Sequence, residues 1–136
     1  MMDKANFKNI VFAPISIGEL VDKITILEIK ESQISDLIKL ENIKKELMAL
    51  NSLSIYQNNK QALFDYQKEL REVNSTIWDL EEKIRDLERM ENFNDGFIET
   101  SRQIHRANDE RSFIKKKINI LFASELSEEK SYRLEK

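Results

Sequence analysis

The segment 60–91, KQALFDYQKELREVNSTIWDLEEKIRDLERME, contains neither glycine nor proline and carries an unbroken seven-residue apolar repeat. Leu63, Leu70, Ile77 and Ile84 take one core position, and Tyr66, Val73, Leu80 and Leu87 take the other. A 3.5-residue spacing keeps one stripe on a neighbour at every turn, so the segment predicts a helix of about 45–50 Å packed lengthwise on partner helices. The rest of the chain is read as organised around it.

Composition supports helices throughout. Two glycines and one proline in 136 residues leave little turn chemistry for hairpins, and 35% charged residues suit a helical or coiled-coil protein. At this length one domain with one core is expected. The 22 basic and 25 acidic residues nearly balance, so no chain-wide footprint for nucleic acid or an anionic membrane is visible. No cysteine and a single histidine exclude thiolate and imidazole-rich metal sites and a cysteine nucleophile. No run of about 18 apolar residues occurs and the N-terminus has no signal-peptide core, which leads to the expectation of a soluble, cytoplasmic protein.

Along the chain, residues 1–15 are expected to form an extended arm, with the apolar run Ile10 to Ala13 lying against the bundle. Ser16-Ile17-Gly18-Glu19 reads as a capping box that starts the first helix at Ile17. Ile17, Leu20, Val21, Ile24 and Leu27 make its main apolar face, and Ile26 and Ile29 lie on the opposite side, so this helix should be well buried. A second helix follows through Leu37, Leu40, Ile43, Leu47 and Leu50, capped by Ser35 or Asp36. The Asn- and Ser-rich stretch 51–59 reads as a loop. After the long helix, NFNDG makes a turn with Asn94 or Asp95 as cap. The last long helix carries Phe97, Ile104, Ala107, Ile114, Ile118, Leu121 and Phe122 on one face. Short connections imply antiparallel neighbours. The charged tail 124–136 offers Leu126 and Tyr132 as docking points. The expected fold is a single all-α domain, an antiparallel bundle of about four main helices with two long coiled-coil-like ones.

Arg111 is the main anomaly, since it interrupts the apolar seam between Ile104 and Ile118. A cation there either reaches solvent or meets a carboxylate, for which Glu28, Glu81 and Asp79 are candidates. Around it runs a polar stripe: Asn108, Lys115 and Asn119 on the last helix, with Ser112 beyond, and Asn74, Trp78, Glu81 and Arg85 on the long one. Antiparallel pairing brings Trp78, Asn108 and Arg111 to one level. An aromatic plate with Asn, Arg and Lys donors suits a small anionic or planar ligand, whereas a mutually satisfied layer would merely fix helix register. Glu28 with Glu31 and Asp79 with Glu82 have the carboxylate spacing of a magnesium site, although a whole helix separates the two pairs. His105 falls on the polar side of its helix. No resident cofactor or metal is expected.

The ordered segments PISIGELVDKITILEIK, WDLEEKIRDLE, ANDERSFIKKKIN and EEKSY resemble an uncharacterised family of small all-helical bacterial and phage proteins, a domain of unknown function. The resemblance spans 14–132. It implies a helical fold and no assigned activity, with some members near sugar-transfer or cell-surface polysaccharide functions. Its segments coincide with much of the polar stripe, from Trp78, Glu82 and Arg85 to Asn108, Arg111, Lys115 and Asn119.

Three functional readings emerge. The first is a non-enzymatic interaction or adaptor protein, because no nucleophile, metal cage or phosphate loop is recognisable. Its partner would be another protein or a second copy in a homodimer, since two long helices leave apolar surface uncovered at their ends. The second is a site for a phosphosugar or nucleotide on Trp78, Glu82, Arg85, Asn108, Arg111, Lys115 and Asn119. The third is an all-α magnesium-dependent nucleotide pyrophosphohydrolase using Glu28, Glu31, Asp79 and Glu82.

Overall fold

The structure is a computed structural model, and it describes residues 8–124 together with 128 and 129. Among the described residues five helices occur in order: α1 (Ile17–Gln33), α2 (Leu37–Asn51), α3 (Ser54–Gln57), α4 (Lys60–Arg89) and α5 (Asp95–Leu121). No strand occurs among the described residues.

Local chemistry fixes the helix ends. Ser16 caps α1 as expected, its hydroxyl accepting from the Glu19 amide at 3.0 Å. The second half of the capping box is not made, because the Glu19 carboxylate turns to Lys115 instead. Asp36 caps α2 and Asn94 caps α5, each through its Oδ1. The α4–α5 turn closes with Glu91 at φ 52°, a left-handed residue following the helix, and the Asn92 amide reaches back to the Leu87 carbonyl. Within 51–59 the structure contains a short helix, α3, rather than a simple loop. Tyr56 explains it: its ring is buried and its hydroxyl donates to Gln67 at 2.9 Å, tying α3 to α4.

The helix at the centre is α1, not the long α4. It packs against α2, α4 and α5, whereas α4 packs chiefly on α5 and α1. Its two apolar faces account for this, since Leu20, Val21, Ile24, Leu27 and Ile29 are all buried. The core joins Val21, Ile24 and Leu27 to Leu63, Leu70 and Val73 of α4, Ile114 and Ile118 of α5, and Ile43 and Leu47 of α2. Leu37 and Leu121, both expected on apolar faces, are 81% and 51% exposed. Both sit at a helix end, past the reach of a neighbouring helix. The arm is also less embedded than expected, with Ile10, Val11 and Phe12 exposed. The expected docking points Leu126 and Tyr132 lie outside the described residues.

The packed helices differ greatly in length. The α1 helix has 17 residues and α4 has 30, so α4 overshoots it. Ser32 and Gln33, at the end of α1, share a small cavity with Trp78 and Asp79 of α4. Beyond that level α4 and α5 continue as a two-helix hairpin. The heptad positions record the change: Leu63, Leu70 and Val73 are buried, but Leu80, Ile84, Leu87 and the facing Ile104 are only half-buried.

Candidate functional site

The site is built where α1 crosses α4 and α5. Asp22 of α1 is fully buried, and its carboxylate takes a two-pronged bond from Arg111, with Nε at 2.9 Å and Nη2 at 2.5 Å. The partner of Arg111 is therefore Asp22, not Glu28, Glu81 or Asp79. Those candidates are engaged elsewhere or stand apart: Glu28 pairs with Arg71 at 2.7 Å and Glu81 with Arg85 at 3.7 Å. Asp22 precedes Ile26 and Ile29 by four and seven residues, which puts it on the second apolar face of α1. A lone carboxylate on that face is the sequence signal for it.

Asn74 of α4 completes the layer. Its amide donates to Asp22 Oδ1 and to the Thr25 hydroxyl, both at 2.9 Å, while Thr25 donates to the Asp22 carbonyl. These donors replace the water that the buried carboxylate has lost. The bonds from Asp22 raise the Arg111 guanidinium above its ordinary value, against the opposing effect of burial.

A second group of polar residues lies one to two turns along α5. Lys115 Nζ meets Glu19 at 2.6 Å, Glu128 at 3.8 Å and Asp22 at 4.0 Å. Asn119, also buried, accepts from the Gly18 amide at 2.8 Å and donates to Glu128 at 3.1 Å. Glu128 accepts from the Ser16 hydroxyl at 2.5 Å, so a residue beyond α5 closes over the start of α1. Burial works to raise the Glu128 carboxyl, but the bonds from Ser16, its own backbone and Asn119 and the Lys115 charge together leave it below its ordinary value. Gly18 is required here: a Cβ would lie 2.6 Å from the Lys115 carbonyl oxygen and 2.8 Å from Asn119 Oδ1.

The expected stripe is thus divided. Trp78, Glu82, Arg85 and Arg111 line one cavity of about 420 Å³, with Ile26 and Ile29 of α1 and Asn74, Ile77 and Glu81 of α4. Lys115 and Asn119 belong to the layer at Gly18 and Glu128. Asn108 is half-buried on α5 and is not part of the cavity wall. The cavity has apolar walls and a charged rim. The Trp78 indole N–H is the one buried side-chain donor among the described residues without a hydrogen-bond partner. His105 is exposed, as its place on the helix predicts.

The carboxylates of the magnesium reading do not gather. Glu28 and Asp79 border one small cavity with Arg71, while Glu82 lines the larger one. No group of three or more His, Cys, Asp or Glu among the described residues is arranged to hold a metal ion. No helix among the described residues is long and apolar enough to cross a membrane.

Residues 11–135 match the model of a family of unknown function, DUF6165. No curated protein and no solved structure matches the chain.

Proposed function

We propose that this chain, which belongs to the DUF6165 family of unknown function, is a non-enzymatic helical interaction protein whose docking element is the α4–α5 hairpin beyond the end of α1. The observation that carries the reading is the heptad seam, which runs on past Trp78 and Asp79, the level at which α1 ends. Leu80, Ile84, Leu87 and Ile104 keep the apolar pattern of the core without its burial. Two helices alone cannot enclose such a seam, so a further helix supplied by a partner would lower the free energy by removing apolar surface from water.

The tip adds to this surface. Met90, Phe93 and Ile98 are 69%, 56% and 55% exposed, and Phe93 is held edge-to-face against Phe97 at 5.3 Å. Large apolar side chains gathered at a helical tip offer a contact surface. The polar layer favours the same reading over a small-ligand site. Arg111 is taken up by Asp22, and Lys115 by Glu19 and Glu128, so the cations that would bind an anion already have carboxylate partners.

A photo-crosslinking amino acid placed at position 93 in the intact protein, and at Lys45 on α2 as control, tests the reading in cells. Discrete adducts from position 93 and none from position 45 are expected. Equal labelling from both positions, or none from either, contradicts it.

A further inference from the structure

A groove and a charged stripe lie side by side on α4. The groove is the cavity of about 420 Å³ walled by Ile26, Ile29, Ile77 and Trp78. Trp78, Glu82, Arg85 and Arg89 succeed one another at spacings of four, three and four residues, which sets them in one stripe along α4 that begins at the indole wall of the groove.

We propose that the occupant of the groove is a second copy of this chain, docked antiparallel along α4 about a two-fold axis that crosses between Lys83 and Ile84. This rests on the reading of the hairpin as a docking element and places the second copy on the outer face of α4, round the helix from the seam of Leu80, Ile84 and Leu87. A closed two-fold dimer requires a surface complementary to itself, and the stripe meets that requirement. Residues equidistant from the axis face each other. Glu82 meets the partner's Arg85, and Trp78 receives the partner's Arg89 over its indole face, an arrangement that favours a guanidinium. Each pairing occurs twice, once in each direction.

The charges needed are available. Arg85 and Arg89 pair within α4 only with Glu81 and Asp86, and both arginine side chains are 73% exposed. Exposed pairs one turn apart contribute little and exchange readily for new partners. Glu82 is exposed and lines the groove rim beside Trp78.

Sedimentation of the full chain tests the proposal. The wild type should move from a mass of 16.1 kDa toward twice that value as concentration rises. Glu82→Arg and Arg85→Glu, each alone, set like charges against each other twice and should weaken association by about tenfold or more. Mixed in equal amounts, the two variants restore both pairs with opposite sign and should dimerise as the wild type does. Both substitutions sit on an exposed helix face, and circular dichroism with a thermal melt verifies that each remains folded. A wild type that stays monomeric overturns the proposal, as do single variants that associate normally or a mixture that does not recover. Adducts from position 93 to a protein of another mass, with a monomeric wild type, would retire the second copy while leaving the docking element in place.

Discussion

Asp22 and Arg111, 89 residues apart in the chain, are joined by two hydrogen bonds that pin the first helix to the last, with the carboxylate wholly inside the protein. Such a pair is costly to break and inexpensive to replace, because the penalty lies in the stranded partner and not in the loss of attraction. Arg111→Met alone strands Asp22 and should cost about 3–5 kcal/mol in urea unfolding, and Asp22→Ala should cost a similar amount. Asp22→Leu combined with Arg111→Met should recover most of that loss. A double variant as unstable as the sum of the two would mean that the pair contributes more than register.

Gly18 marks the closest approach of α1 to α5. An alanine there would force its Cβ against the Lys115 carbonyl and the Asn119 side chain. Overpacking of this kind costs about 1–3 kcal/mol, so Gly18→Ala should lower the thermal midpoint by several degrees. Gly96, whose Cβ would meet only the Asn94 side chain at 3.2 Å, is the control expected to tolerate alanine better.

Glu128 gives the α1 end a pH dependence whose sign comes from its lowered carboxyl value. A carboxylate that is more acidic when folded adds stability above its unfolded value, and loses it as pH falls through the folded one. Its side chain is 35% exposed, so the contribution at neutral pH should stay under about 1 kcal/mol. Glu128→Gln should be slightly less stable than wild type at neutral pH, with the two melting curves converging in acid below the ordinary glutamate range. A constant gap down to low pH would remove Glu128 from the account.

The left-handed residue that ends α4 is Glu91, a non-glycine at φ 52°. Glu91→Gly relieves a steric cost of about 1 kcal/mol while keeping the closing bond of the turn, and should stabilise the hairpin by up to that amount. Unchanged or lower stability would show that glycine's freedom in the unfolded chain offsets the relief.

The helices are legible in the sequence because their signals are local. The heptads of 60–91 foretell α4, the Ser16 box foretells the start of α1, and NFNDG foretells the turn before α5. What escapes is tertiary. Tyr56 orders α3 by burying its ring among residues of other helices, which no local pattern in 51–59 reveals. Arg111 stands out as an anomaly, but the acids flanking the long-helix seam and the main face of α1 are not its partners. Asp22 is concealed on the second apolar face of α1, where Ile26 and Ile29 carry the visible pattern and the carboxylate four and seven residues before them does not. The division of the polar stripe into a groove and a closed layer depends on where α1 ends relative to α4. That level is set by packing between helices and is not written in either segment alone.

The most direct test of the hairpin as the docking element is amide hydrogen exchange of the intact protein over a range of concentrations. Amides in 80–106 should be less protected than those of α1 in dilute solution, since no third helix among the described residues covers them, and should gain protection as concentration rises while α1 stays unchanged. Hairpin amides that match α1 at every dilution, or a concentration response confined to α2 or to the start of α1, would contradict the account.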